Sequence, residues 1–510
     1  MRQSYLFRLL LLSTLSTLSA CSQDFLVETD PNAVSVNDYY QSENDVQLAV
    51  NGVYQSLRNN NALAENSGLF SEERSDNTGR NDNQSNAGEP FQFNDFSVLP
   101  GNTYLKAHWL ALYQIVTRAN QVLAGMEAVS FAKPETKTQY QAEVKFIRAL
   151  AYFHLVRKWG DVPLVTKPLL SDAVSASTFR EKKETVYAQI VADLTDVIAS
   201  PLPDVQPLAQ KGRVSKVAGN ALLGQVYLTM ATTLDAANRT ANLNQAKTYL
   251  TAAYAKRSFG LLKEIPYADV FDVSKKSTNA EIIFQIVYRQ GDPVYSSSIA
   301  VNNQAQGETI NSLKVTTGAG GNVKADLVKE YEDGDVRKDF SIKYANAANV
   351  KDYFITKFRD ASAGATTNGY GGNDWILIRY ADVMLLLAET NLYLGDEAAA
   401  IALLDQVRDR AKLPPYAVAK TNATYAAKYP TLKLAILHER RVELAFENHR
   451  WFDLLRFFTP TEAVAYFQAK PQADYGTAKV SNFGPKDYYF PIPADEVKLN
   501  PTKMYQNPGY

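Results

Sequence analysis

The sequence predicts a mainly α-helical protein, in which pairs of helices form a scaffold and long polar loops carry a few short strands. Three observations support this fold class. Apolar residues recur at spacings of three and four along much of the chain, which is the pattern of amphipathic helices. Helical stretches follow one another in pairs. Two long regions, at about 59–102 and 261–374, break the pattern with Asn, Gly, Ser and Asp.

The composition is that of a globular protein with a substantial core. The chain has 510 residues, 46% of them apolar, with 53 Lys and Arg against 54 Asp and Glu. A net charge near zero gives no reason to expect a nucleic acid partner. A single Cys excludes a disulfide framework, so stability has to come from core packing.

The chain begins with the features of an exported lipoprotein. A basic start is followed by the apolar stretch Leu9–Leu18, which is too short for a membrane span of about 20 residues. The sequence Leu18-Ser-Ala-Cys21 then resembles the bacterial lipobox. We therefore expect residues 1–20 to be a lipoprotein signal peptide and Cys21 to carry the lipid anchor. The alternative is an ordinary secretory signal with a chance Cys.

The helical stretches can be assigned in order along the chain. Two single helices are predicted at 45–57 and 105–126. Pairs are predicted at 135–159 with 183–199, 216–230 with 242–256, 379–394 with 396–411, and 431–447 with 449–458. In the third pair, Ala388, Ala398 and Ala402 are small enough for a close helix crossing, and Gly395 forms the turn. This pair loosely fits the tetratricopeptide repeat of about 34 residues, which predicts about four such units. Small-residue crossings also occur in helical domains without repeats.

The two irregular regions contain one predicted strand, at 281–288, among polar loops. The glycines at 318–321 do not complete a GxGxxG pattern and do not precede a helix, so nucleotide binding is not expected. No cofactor is predicted.

Catalytic and metal-binding motifs are absent from the sequence. His108, His154, His438 and His449 lack metal-ligand spacing, and no nucleophile or metalloprotease motif is present. Glu439 with Arg441, and Glu443 with Arg440, are interpreted as structural ion pairs. We therefore expect neither an enzyme nor a metal site, although one sequence cannot exclude a pair of carboxylates brought together in space.

Five motifs in order resemble the SusD/RagB family of lipoproteins. They are Cys21-Ser-Gln-Asp-Phe-Leu26, the segment 146–164 ending in Gly-Asp-Val-Pro-Leu, the helix 375–389, the pattern of 439–450 with Asp453-Leu454, and the ending Pro491-Ile-Pro493 with Gln506-Asn-Pro-Gly-Tyr510. The resemblance implies one SusD-like domain over 21–510. Its helical scaffold would span about 36–260 and 375–458, its irregular ligand-side region about 59–102 and 261–374, and its C-terminal loop region 459–510.

The resemblance also implies a function. SusD-like proteins are anchored on the outer-membrane surface, where they cap a TonB-dependent SusC-like porin and capture glycans, or sometimes peptides, for import. The tetratricopeptide-like face would meet the porin. Two alternatives remain open at this point, an assembly scaffold of the outer membrane and a peptide-binding RagB-like protein. An exported hydrolase is a third and would need a convergent carboxylate pair.

Residues for a glycan surface can be selected by chemistry. Sugar rings present apolar faces and hydroxyls, so a binding surface needs flat aromatics beside hydrogen-bonding side chains. The irregular regions offer this mixture at Asp76, Asn77, Arg80, Phe91, Phe93, Tyr288, Arg289 and Tyr295. The structural alternatives are a turn at Asp76-Asn77 and packed aromatics elsewhere. Starch binders of the family use Trp, which the loops at 59–102 and 276–374 lack, so the substrate stays open.

Overall fold

The computed structural model describes residues 39–65, 67–79, 88–169, 179–234, 236–303, 322–347 and 350–510. The predicted signal peptide, Cys21, Arg80 and the glycines at 318–321 lie outside these ranges. The longer helices are α1 Glu43–Ser56, α2 Thr103–Gly125, α3 Pro134–Trp159, α4 Lys183–Ala199, α5 Lys216–Thr233, α6 Arg239–Tyr254, α7 Tyr380–Tyr393, α8 Glu397–Arg410, α9 Leu432–Glu443, α10 Arg450–Phe457 and α11 Pro460–Gln468. The fold is mainly helical, as the sequence predicts.

Helix boundaries follow from local chemistry. Ser42 caps α1 in a capping box with Asp45, and Asn102 caps α2 through the backbone N–H of Leu105. Pro134 is the first residue of α3, where its missing N–H costs nothing. The helix ends at Gly160, whose φ of 74° suits glycine.

The predicted helix pairs are present. Helix α3 packs on α4, α5 on α6, and α7 on α8. Gly395, at φ 81°, forms the turn between α7 and α8, and Ala388 is fully buried on α7. Ala398 and Ala402, also expected at the crossing, are exposed, so that part of the prediction is wrong. Helices α9 and α10 are also in contact, although α10 spans only Arg450–Phe457. The pairs form a layer of helices whose apolar faces meet in one large core.

The strands are short and pair antiparallel. They are β1 Thr78–Gly79, β2 Val162–Pro163, β3 Arg180–Glu181, β4 Ile282–Ile286, β5 Asn322–Val323, β6 Ile342–Ala347, β7 Val350–Ile355 and β8 Trp375–Arg379. A 4-stranded sheet has the order β1-β5-β7-β6, and the pairs β2-β3 and β4-β8 form two smaller sheets. The predicted strand at 281–288 is therefore confirmed in its central part.

Two predicted boundaries need correction. The scaffold was expected to resume as helix near 375, but Trp375–Arg379 is β8, because its bulky apolar residues pair with β4 and are mostly buried. The C-terminal region 459–510, expected to be loop, contains α11 and the short helix Ala494–Leu499. Helix α11 starts with a Thr459–Glu462 capping box. No helix in the described ranges has the length and apolar character needed to cross a membrane.

Candidate ligand-binding surface

Asp76 and Asn77, predicted to bind a ligand, are fully buried. Arg450 donates to Asp76 through Nε at 2.7 Å, and Arg441 donates through Nε to the side-chain amide oxygen of Asn77 at 2.9 Å. Burial by itself would raise the pKa of Asp76, but the charges of Arg441 and Arg450 hold it well below its ordinary value. The prediction is wrong for these two residues, because distant arginines draw their side chains into the core.

Phe91 and Phe93 are also buried, so their prediction as stacking residues is wrong. They lie in the short helix Phe91–Asn94 and not in an open loop. Phe93 makes edge contacts with Phe70 and Phe490, with ring centroids 5.5 and 5.6 Å apart. Both rings anchor this segment to the core, which was the structural alternative.

The second predicted segment forms a tight turn at the surface. The backbone N–H of Arg289 donates to the Tyr295 carbonyl at 2.7 Å, and Gly291 takes a φ of 73°. The Asp292 carboxylate accepts from the backbone N–H groups of Val294 and Tyr295 at 2.8 and 3.0 Å. The turn therefore holds Tyr295 in place while leaving 41% of it exposed.

Arg58, which sequence reasoning missed, joins this turn. Its guanidinium carbon lies 4.8 Å from the centroid of the Tyr288 ring and 4.7 Å from that of Tyr295. Both distances are in the range of cation–π contacts. Arg58 follows α1 directly and is half-buried. Tyr288 is only 5% exposed, so its prediction as a ligand-binding residue is wrong, and its ring instead supports Arg58 from below. The surface formed by Arg58, Arg289, Asp292, Val294 and Tyr295 over the buried ring of Tyr288 is called the tyrosine–arginine surface below.

Buried polar groups support the tyrosine–arginine surface from behind. Asp374 accepts from the Tyr288 backbone N–H and from Lys276 Nζ, both at 2.8 Å. Glu65 accepts hydrogen bonds from Ser297 and Ser298, which tie the segment after α1 to the end of the turn. Burial raises the pKa of Glu65, although these hydrogen bonds act against the shift. The two chain segments that carry the surface are thus fixed to each other.

Charge on this surface is only partly balanced. Arg289 has a side chain that is 80% exposed, and its only carboxylate neighbour among the described residues is Asp292, at 3.7 Å. The pKa of Asp292 is lowered, first by its backbone hydrogen bonds and then by the charges of Arg289 and Arg58. Arg58 forms no hydrogen bond or ion pair through its side chain with any residue in the described ranges. Arg289 thus presents an exposed guanidinium, and Arg58 one that only aromatic rings contact within the described ranges.

The other concentration of charge is buried. Glu443 pairs with Arg337 at 3.0 Å, with Arg379 at 2.7 Å and with Arg410. Glu439 pairs with Arg337 at 2.6 Å and with Arg408 at 3.2 Å. The glutamates Glu439, Glu443 and Glu447 with the arginines Arg337, Arg379, Arg408 and Arg410 are called the buried ion-pair cluster below.

The expected pairs of Glu439 with Arg441 and Glu443 with Arg440 are not formed. Arg440 turns to Asp382 and Asp453, and Arg441 to Asp76 and Asp326, because each faces a different neighbouring element. The prediction that these four residues form structural ion pairs is confirmed, but the partners that it assigned to them are wrong.

One group of side chains at the edge of this cluster has spacing that a metal could use. Glu332, His438 and Glu439 each offer a ligand atom within 4.8 Å of the others. Arg408 donates to Glu332 at 2.7 Å and to Glu439 at 3.2 Å, so a guanidinium already balances these carboxylates. The described residues therefore use this group as part of the ion-pair network. His438 itself bridges Glu330 and Glu332, at 2.9 and 3.1 Å.

The fold and its surface define the class of the protein. A helical scaffold locked by buried ion pairs presents an irregular face, on which the exposed Tyr295 lies beside Arg58 and the exposed Arg289. Two family models match the chain, one described as the SusD family over residues 287–510 and one as starch-binding, associating with the outer membrane, over residues 24–228. The chain belongs to the SusD-like family.

Relatives match over nearly the whole length. SusD-like protein P2 of Formosa agariphila is 26% identical, with 99% of each chain covered. A solved laminarin-binding SusD-like protein is 28% identical with a TM-score of 0.73, and the match covers 92% of this chain and 100% of that one. Surface glycan-binding protein A from Bacteroides thetaiotaomicron, solved with laminarihexaose, shares the fold at 19% identity, a TM-score of 0.71 and coverage of 92% and 100%.

Proposed function

We propose that this protein captures a glycan at the outer membrane and passes it on without chemical change. The tyrosine–arginine surface carries the proposal, because Tyr295 presents an exposed ring on a turn that hydrogen bonds hold rigid. A rigid ring offers the flat apolar face on which a sugar can stack. The glycan-binding names of similar proteins support the same ligand class.

The route to import belongs to the same proposal. Family membership supports delivery to a TonB-dependent SusC-like porin, with the protein held at the cell surface through a lipid on Cys21. Replacing Cys21 by Ala should abolish incorporation of a palmitate analogue and release the protein from the membrane fraction. Continued lipid labelling of that variant would contradict the anchor.

A glycan and oligopeptide array with the soluble form that starts after Cys21 tests the ligand class. We expect binding to at least one glycan and a loss of about tenfold or more in affinity for Tyr295→Ala, since a central aromatic anchor dominates an interface. Tyr344 is an exposed tyrosine on β6 and provides the matched control, Tyr344→Ala. Equal losses of affinity in the two variants would show that the glycan does not bind at the tyrosine–arginine surface.

The same array separates the alternative functions. Binding to oligopeptides alone would favour a peptide-capturing RagB-like protein. Co-purification with the porin without affinity for glycan or peptide would favour an assembly scaffold. Conversion of a bound glycan to products by highly purified protein would show a hydrolase instead.

A further inference from the structure

We propose that the tyrosine–arginine surface selects acidic glycans, whose carboxylate or sulfate groups bind the guanidinium of Arg58 with help from Arg289. This inference rests on the proposed function, since it names the substrate class of the same surface. Neutral glycans such as laminarin would then be poor ligands for this chain.

The environment of Arg58 is the first observation. Its guanidinium lies between two tyrosine rings, 4.8 Å from the centroid of Tyr288 and 4.7 Å from that of Tyr295. Contacts of this kind hold a guanidinium against the ring faces without using its N–H groups as hydrogen-bond donors to the protein. A planar fork of free donors matches the oxygens of a carboxylate or sulfate and binds them bidentately.

The carboxylates near this surface are the second observation, because each already accepts hydrogen bonds from the protein. Asp292 accepts two backbone N–H groups and faces Arg289 at 3.7 Å. Asp374 accepts from Lys276, Gln285 and the Tyr288 backbone. Glu65 accepts from two serines. Asp292 and Asp374 also feel the charge of Arg58, and Asp360 accepts from the Gln290 side chain of the same turn.

The surface therefore offers guanidinium donors, while its carboxylate acceptors already hold hydrogen bonds from the protein. A neutral sugar needs both, because each hydroxyl donates as well as accepts. A ligand that brings its own anionic acceptors satisfies Arg58 and Arg289 directly. Charged hydrogen bonds are also the stronger kind, so the difference favours an acidic glycan over a neutral one.

The experiment measures the affinity of the soluble form for four polysaccharides by isothermal titration calorimetry. Polygalacturonate carries only carboxylates and carrageenan only sulfates, which distinguishes the two sources of charge. Laminarin and arabinan are neutral. Each titration is repeated in low and high salt, because a charge contact at an exposed surface weakens as ionic strength rises.

Three variants accompany the wild type. Arg58→Met keeps an apolar stem between the rings and removes the charge, and Arg58→Lys keeps the charge and removes the fork. Lys498→Met removes an exposed cation from the C-terminal helix, where it pairs with Asp495. We expect Arg58→Met to weaken binding of the acidic polysaccharide by about tenfold or more, Arg58→Lys by less, and Lys498→Met by less than about twofold.

The outcomes separate this inference from the proposed function. Binding of neutral glycans alone, lost in Tyr295→Ala and kept in Arg58→Met, would overturn the acidic selectivity and leave glycan capture standing. Binding of no polysaccharide by folded protein would overturn both. If Arg58→Met fails to fold, the test uses the wild-type protein instead. Its affinity is then measured for polygalacturonate before and after chemical reduction of the polysaccharide's carboxyl groups. Equal affinity for the two forms would contradict the proposal.

Discussion

The buried ion-pair cluster and the tyrosine–arginine surface are both rich in arginine, but they use it in opposite ways. In the cluster, Arg379 reaches Glu281, Glu443 and Glu447, all at 2.7–2.8 Å. On the surface, Arg58 is placed by two aromatic rings and has no carboxylate partner in the described ranges. A fully paired arginine fixes the scaffold, whereas one positioned by rings keeps its donors for a ligand.

The two regions also differ in the energetic cost of removing the partner of a charged side chain. A buried charge that loses its partner is left in a low-dielectric interior, which costs several kcal/mol. An exposed charge is solvated when its ligand leaves. Substitutions in the cluster should therefore act on the free energy of unfolding, and those on the surface should act on affinity. The following predictions test this division, from the largest expected effect on stability to the smallest.

Glu443→Gln should have the largest effect. It removes the charge shared by Arg337, Arg379 and Arg410, and we expect the free energy of unfolding to fall by about 3–5 kcal/mol. Urea unfolding followed by circular dichroism measures the loss. The control Asp495→Asn, in an exposed pair with Lys106, should change stability far less. Equal losses of stability in the two variants would show that the buried ion pairs contribute no more to folding than the exposed pair.

Ala388→Phe tests the scaffold without changing any charge. Ala388 is fully buried on α7, so a larger side chain should overpack the helix layer and cost about 1–3 kcal/mol. The control Ala398→Phe is placed in the first turn of α8, where the native residue is exposed. An unchanged melting temperature for Ala388→Phe would show that the crossing is looser than the structure indicates.

His438, at the edge of the buried ion-pair cluster, makes part of the protein's stability depend on pH. Burial would lower the pKa of His438, but the hydrogen bonds that its protonated ring donates to Glu330 and Glu332 raise it overall. Because the pKa of His438 is higher in the folded than in the unfolded protein, protonation of its ring stabilises the fold. This contribution is fully present below the unfolded-state pKa of about 6.5 and is lost as pH rises through the folded-state pKa. The stability difference between wild type and His438→Gln should therefore shrink as pH rises above about 6.5. A difference that is constant between acidic and alkaline buffers would contradict this.

Tyr295→Ala should have the smallest effect on stability. Because the ring is 41% exposed, we expect the free energy of unfolding to change by no more than about 0.5 kcal/mol while affinity for the glycan falls. Chemical denaturation and calorimetry on the same preparation measure both quantities. A stability loss comparable to that of Ala388→Phe would assign Tyr295 to the core.

The sequence was sufficient to predict features that depend on neighbouring residues. Apolar periodicity located the helix pairs, and Gly395 marked the turn between α7 and α8, because both signals arise within one or two helical turns. The strand near 282–286 was also readable from its continuous apolar run. These elements need no information from distant parts of the chain.

Burial in the loop regions could not be predicted, because distant residues decide it. Asp76 and Tyr295 lie in similar polar stretches, yet Asp76 is drawn inward by Arg450, which is 374 residues away in the sequence. Arg58 was missed for the same reason. A lone arginine after a helix is usually solvated near the helix C-terminus, and only the fold shows that Tyr288 and Tyr295 enclose it.

The contact between Asp76 and Arg450 belongs to a set that joins the two ends of the chain. Arg74 donates to the carbonyl of Asp487 across 413 residues, and the Trp159 indole donates to that of Pro491 across 332. Contacts between residues so far apart in sequence close large loops, which slows folding. The N-terminal half of this protein cannot complete its core until almost the last residues of the chain are available.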